Sequence, residues 1–212
     1  MPSSIAHALF PAGCALLSRS GLPALPRKGW LKFLAVAVFL GNAPDLDLIP
    51  ASLWPEHFFE IHRYWGHNIF SVTALIYLGQ VLIRRWVSPS FSKRHAWILS
   101  TLLVASHLLL DSMGCPTAHG ELPSIPFLYP FSDWSFYLPF QLFPIIQLHR
   151  GVHPLLAHVL AQDFWVHVIF HEIFFSAALV GIWSAVYFLS RLLFLRKKKT
   201  PEPQAISFKE AA

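Results

Sequence analysis

The sequence predicts an all-α membrane protein, a polytopic bundle of about five helices, and three observations carry that reading. Hydrophobic residues make up 55% of the 212 and charged residues only 13%, which is more apolar than a soluble domain of this length. The apolar residues gather in runs bounded by Pro, Gly or charge. The Lys and Arg residues, which give a net charge of +5, fall in short clusters between those runs.

The runs cover residues 5–18, 33–43, 68–83, 96–110 and 164–195. A full span needs about 20 residues, so the last qualifies, the third and fourth sit near the limit, and the first two are short enough to be tilted or re-entrant. No Lys or Arg precedes the first run, which argues against a cleaved signal peptide, and Pro11 disrupts a lipobox reading of the stretch ending at Cys14. Residues 5–18 are therefore read as mature structure. Between residues 112 and 163 the chain is rich in proline and aromatics (PSIPFLYPFSDWSFYLPF), too irregular for a span and too apolar for a free linker. It is expected to form a cap on the non-cytoplasmic side, with Trp134 and Tyr137 at headgroup depth. Residues 1–195 then form one membrane-embedded domain, and residues 196–212 a basic, disordered cytoplasmic tail that acts as a stop-transfer anchor.

Short loops rich in Lys and Arg face the cytoplasm. Placing 19–32, 84–94 and 191–212 inside puts 14 of the 16 basic residues there, with two of the 11 acids; of the 12 histidines only His95, next to the second segment, goes with them. Charge bias explains the Lys and Arg but not the histidines. The chain is accordingly expected in a bacterial inner (cytoplasmic) membrane, C-terminus inside, with its histidines and carboxylates at the outer face. Because the basic residues form no amphipathic stripe, nucleic acid is not an expected partner, while membrane lipids are. Cys14 and Cys115 lack a CxxC partner, so neither a thiolate site nor a disulfide framework is indicated.

Four strings carry the chemistry: His7; Pro44-Asp45-Leu46-Asp47; His62-Arg63-Tyr64-Trp65-Gly66-His67; and His107-Leu-Leu-Leu-Asp111. His107 and Asp111 stand at i,i+4, so a helix presents both from one face. Pro44 biases Ala43 away from helical dihedrals, which predicts an extended turn carrying Asp45 and Asp47. Carboxylates beside an apolar phase need a compensating cation. Imidazole with carboxylate suits one or two divalent ions, Zn²⁺ first, with Mn²⁺ or Mg²⁺ as alternatives, and such a set leaves positions open for water. The metal candidates are His7, Asp45, Asp47, His62, His67, His107 and Asp111. For each of them alone a helix cap or an interface residue is the bland alternative.

Arg63 and Arg150 are the basic residues on the ligand side, and a guanidinium there suits a phosphate or pairs with Glu60. Asp47 and Glu172 are candidate general bases. His167 and His171, again at i,i+4, complete the site, bind a second ion or bond to the cap, and His119 and Asp133 are lesser candidates within the cap.

Taken in order, His7, GNAPDLD, HRYWGHN, SHLLLDSM followed by His119, and PFSDW resemble the LexA-regulated, membrane-bound metal-dependent hydrolases, the YdjM-like family, over about residues 1–135. That family is distantly similar to zinc-dependent phospholipase C and the S-type nucleases. The resemblance implies a helical fold whose His and Asp ligands, an HxxxD pair among them, activate water against a phosphoester. By position it implicates His7, Asp45, Asp47, His62, His67, His107 and Asp111. HRYWGHN departs from the HRG and Thr-His-Ser of the family, and no second HxxxD follows the first, so one or two ions are expected in place of three. A hydrolase acting on an amphiphilic phosphoester is the leading expectation. A metal transporter and a membrane protein with a purely structural metal are the competing ones, although the inner halves of the runs carry no acid or histidine to relay an ion.

Overall fold

The structure is a computed structural model that describes residues 4–17, 19, 22–54, 57–114, 124–138 and 168–199. Among these residues the chain is helical, with α1 (Ser4–Leu17), α2 (Arg27–Asn42), a 3₁₀ turn (Ala43–Asp47), α3 (Leu48–Leu53), α4 (Phe58–Gly66), α5 (Ile69–Leu82), a π turn (Ile83–Val87) and α6 (Lys93–Asp111). A second π turn (Val168–Glu172) leads into α7 (Ile173–Lys199). Residues 115–123, 139–167 and 200–212, which include much of the expected cap and tail, lie outside the described residues.

Boundaries follow local chemistry. Asn68 caps α5, its side-chain oxygen accepting from the Phe70 and Ser71 amides, and Ser92 caps α6 by accepting from the His95 amide. After Pro44 the chain does not extend as the sequence predicted. Ala43 keeps helical dihedrals (φ −63°, ψ −33°), and Pro44 sits in the first turn of the 3₁₀ segment, where a missing N–H costs nothing. The helical path therefore runs on from α2 through the 3₁₀ turn into α3. Helices α3 and α4 also depart from the five-helix count, because IHRYWGH is helical over most of its length.

Among the described residues the stretches long and apolar enough to cross a membrane are Arg27–Leu53 and Phe170–Leu192, with 1.4 and 1.9 mean hydropathy, while Ile5–Leu17 is shorter. Helix α1 packs between α2 and α7, α2 packs on α6, and α6 pairs with α5. The main core joins Phe33, Val36, Ala37 and Leu40 of α2 to Ile83, Phe91, Leu103 and Val104, with the Phe33 and Phe91 rings stacked at 5.9 Å. A second cluster packs Ala6, Phe10 and Leu110 against Phe175, Leu179 and Val180 of α7.

Glycine matters where backbones meet. Pro11 cannot donate to the His7 carbonyl, and α2 crosses α1 at that turn. A Cβ on Gly41 would strike the His7 carbonyl oxygen and come within 2.6 Å of the Pro11 ring. Described cap residues 124–138 are irregular, joined by one antiparallel bridge between Ile125 and Phe136. The Ile69 amide donates to the Phe127 carbonyl and the Leu138 amide to the Ser112 carbonyl, both at 2.9 Å. That ties the segment across the start of α5 and the end of α6.

Candidate metal centre

The end of α6 presents His107 and Asp111 from its buried face, 0% and 3% exposed, as the i,i+4 spacing requires. Helix α1 brings His7, the 3₁₀ turn brings Asp45 and Asp47, α4 brings His62, and the α4–α5 junction brings His67. All seven metal candidates thus meet at one end of the bundle.

Four of them converge. Asp45, His67, His107 and Asp111 each place a donor atom within 4.8 Å of the others'. Nε2 of His67 and Nε2 of His107 stand 3.1 Å apart, and the Asp111 Oδ2 lies 2.9 Å and 3.2 Å from them. Asp45 Oδ1 lies 3.4 Å from the His107 Nε2 and 3.9 Å from the His67 Nε2.

Backbone carbonyls set the tautomers. His107 Nδ1–H donates to the Gly41 carbonyl at 2.8 Å, and His67 Nδ1–H donates to the His62 carbonyl at 3.1 Å. With Nδ1 protonated in both rings, the neutral imidazoles aim their Nε2 lone pairs at one point, between two carboxylates. Lone pairs facing across 3.1 Å repel unless a cation or proton lies between them. Asp45 Oδ1, buried and without a hydrogen-bond partner, points the same way. The donor set fits a divalent ion of the Zn²⁺ or Mn²⁺ type. In its absence a proton takes that place. Burial alone would lower the His67 pKa, but its hydrogen bond to Asp111 and the nearby Asp47 carboxylate, 3.7 Å from Nδ1, outweigh burial and hold it at about 9.

The remaining three surround this set. His62 sends Nδ1 to Asp47 Oδ1 at 2.6 Å and turns Nε2 toward Asp45 Oδ1 at 3.8 Å. Asp47 Oδ2 accepts the Gly66 N–H at 2.8 Å, so both oxygens of that carboxylate are engaged, although Asp47, His62 and His67 also lie close enough to form a second ligand set. His7, fully buried, stacks its ring on His107 at 3.9 Å and places Nε2 3.2 Å from Asp111 Oδ1.

Other candidates lie elsewhere or unplaced. Glu172 is buried (1% exposed) on the π turn that packs near α1, while His171 beside it is exposed. Asp133 is exposed in the cap segment. His119 and His167, with Arg150, lie outside the described residues, as does the side chain of Arg63, whose backbone is on α4. Two glycines were missed as site residues. The Gly41 carbonyl orients His107, and a Cβ on Gly66 would collide with the Pro44 carbonyl and the Asp47 carboxylate. Their only sequence signal is adjacency to the motifs, GNAPDLD and YWGH.

Fold and site together define a helical protein with membrane-length apolar helices and a buried His/Asp group suited to a metal ion. A model of the YdjM inner membrane protein family matches residues 1–195, and the chain belongs to that family. The match extends past the motifs near residue 135 and takes in α7 as far as residue 195. No curated protein and no solved structure matches the chain.

Proposed function

We propose that the chain is a metal-dependent hydrolase of the inner membrane that cleaves a phosphoester of a lipid or another amphiphilic substrate at the outer face, with its C-terminus in the cytoplasm. One observation supports this reading above the others: His67 and His107, held by backbone carbonyls, direct their Nε2 lone pairs at one point between Asp45 and Asp111. A bound divalent ion would supply the Lewis acidity that activates water and draws electrons from a phosphoryl oxygen.

The chain's own residues divide the remaining work. Asp45, His67, His107 and Asp111 hold the ion, and His62 closes the set from the side of Asp45. Asp47 positions His62, as a carboxylate behind a ligating histidine does. His7 fixes the Asp111 carboxylate in the same way. Arg63, next to His62 on α4, steadies the phosphoryl oxygens. Asp47 and Glu172 are the two candidate proton acceptors in this scheme: Asp47 lies beside His62 and His67, and Glu172 is buried on the π turn near α1.

Detergent-purified protein loaded with Zn²⁺ or Mn²⁺ and assayed on lipid phosphoesters tests the proposal. Turnover that disappears in His107→Ala and Asp111→Ala supports it. A folded, metal-loaded protein with no turnover on any of them overturns the hydrolase and leaves a structural or transport role for the ion.

A further inference from the structure

The surface beside Asp45 is apolar. Of the convergent ligand set Asp45 is the least buried, its side chain 10% exposed against 0–4% for His67, His107 and Asp111, so its side of the centre lies nearest the surface. On that side Leu46, Ile49 and Leu53 are 47%, 65% and 68% exposed. Their spacing, i, i+3 and i+7, makes them one stripe along the 3₁₀ turn and α3. Trp54 follows the stripe and is also exposed, as is Trp65 at the end of α4.

This stripe continues a longer surface. Leu31, Val38 and Phe39 of α2 are exposed on the same uninterrupted helical path, Arg27–Leu53, which is long and apolar enough to cross a membrane. Asp45 lies 18 residues past Arg27, or about 27 Å at about 1.5 Å per residue, against about 30 Å of hydrocarbon. With Arg27 and Lys28 at one headgroup boundary, Asp45 reaches the opposite one, and α3 runs on at that level with Trp54 and Trp65. In water, these exposed Leu, Ile and Trp side chains would form the kind of contiguous apolar patch that soluble surfaces avoid.

We infer that the Leu46–Ile49–Leu53 face lies in the membrane interface, against the headgroup end of the acyl chains, and that the centre takes its substrate sideways from the leaflet, past Asp45, as a long-chain phosphoester whose hydrocarbon rests on α3. The substrate half of this inference rests on the proposed hydrolase. The lipid contact stands on the exposed stripe and its continuity with α2.

The test uses the full chain with Cys14→Ser, Cys115→Ser and Ile49→Cys, labelled at residue 49 with an environment-sensitive fluorophore and reconstituted into phosphatidylcholine vesicles. Loss of emission with nitroxide carried on the lipid near the headgroup, and none with aqueous iodide, is the expected result. Quenching by iodide and not by the lipid nitroxide overturns the inference. In parallel, Ile49→Asp is expected to lower hydrolysis of a long-chain phosphoester severalfold while sparing a short-chain, water-soluble analogue and the metal content. Equal loss on both substrates overturns sideways entry. Absence of wild-type turnover on either substrate is the separate signature that the hydrolase reading has failed, and the quenching result then decides the lipid contact alone.

Discussion

Replacing Asp47 by Asn separates the groups that hold the ligands in place from the ligands themselves. Asp47 is 8% exposed, and its oxygens accept from the His62 Nδ1–H at 2.6 Å and from the Gly66 N–H at 2.8 Å. An amide offers one acceptor oxygen, so one of those two donors must face an NH₂ group. Either His62 loses the anchor of its ring or the Gly66 amide is left buried without an acceptor. A buried donor without a partner costs about 1–3 kcal/mol of stability. Loss of the carboxylate behind a ligating histidine weakens metal binding by about 10–100-fold, which is about 1.4–2.7 kcal/mol. Asp45, His67, His107 and Asp111 keep their places, so the number of ions bound at saturation is unchanged. Competition against a chromophoric chelator, with wild type and Asp47→Asn titrated side by side, measures both quantities. An unchanged Kd would refute the positioning role. Loss of a whole equivalent would show that Asp47 ligates a second ion, which would refute it equally.

Three further outcomes follow from the same geometry. His107→Ala removes a ligand, opens a cavity under the His7 ring and strands the Gly41 carbonyl, so the metal-free variant should lose about 2 kcal/mol or more; a thermal shift in detergent and elemental analysis measure both effects. Gly66→Ala forces a Cβ against the Pro44 carbonyl and Asp47, and about 1–3 kcal/mol of stability should go, together with some metal affinity, because the Asp47 carboxylate has to move. His67, raised above the ordinary histidine value to about 9, stabilises the metal-free fold fully below about pH 6.5, and that contribution is lost as the pH rises through about 9. Metal loading near pH 7 should therefore release a proton from His67, and loading above about pH 9 should release none from it; calorimetry in buffers of different ionisation enthalpy reads the difference.

The sequence carried the gathering of the site further than its internal roles. That His107 and Asp111 share a face follows from their spacing alone, and the cost of carboxylates beside an apolar phase pointed to a cation shared by Asp45 with the histidines His62 and His67. Which carboxylate faces the ion was not legible. Asp45 and Asp47 are two residues apart in both an extended turn and a 3₁₀ turn, but the side chains point differently in each, and the path after Pro44 was predicted as the wrong one of the two. Packing against α4, with Gly66 admitting the Asp47 carboxylate, decides it. Helix α3 escaped notice because it is six residues long, too short for a periodic signal. The β-branched and aromatic residues around IHRYWGH hid α4 for a related reason, since its helical state depends on tertiary contacts with α3 and the 3₁₀ turn. The roles of Gly41 and Gly66 arise from contacts between segments far apart in the chain, which no local pattern records.

The account stands on the claim that His67, His107, Asp45 and Asp111 jointly hold a divalent cation. Elemental analysis of the detergent-purified wild-type chain beside His107→Ala, after equilibration with Zn²⁺ and removal of free ion, tests it most directly. At least one tightly held equivalent in the wild type, lost in the folded variant, is the result expected. A wild-type chain that retains no divalent ion, or a variant that retains as much as the wild type, would contradict it.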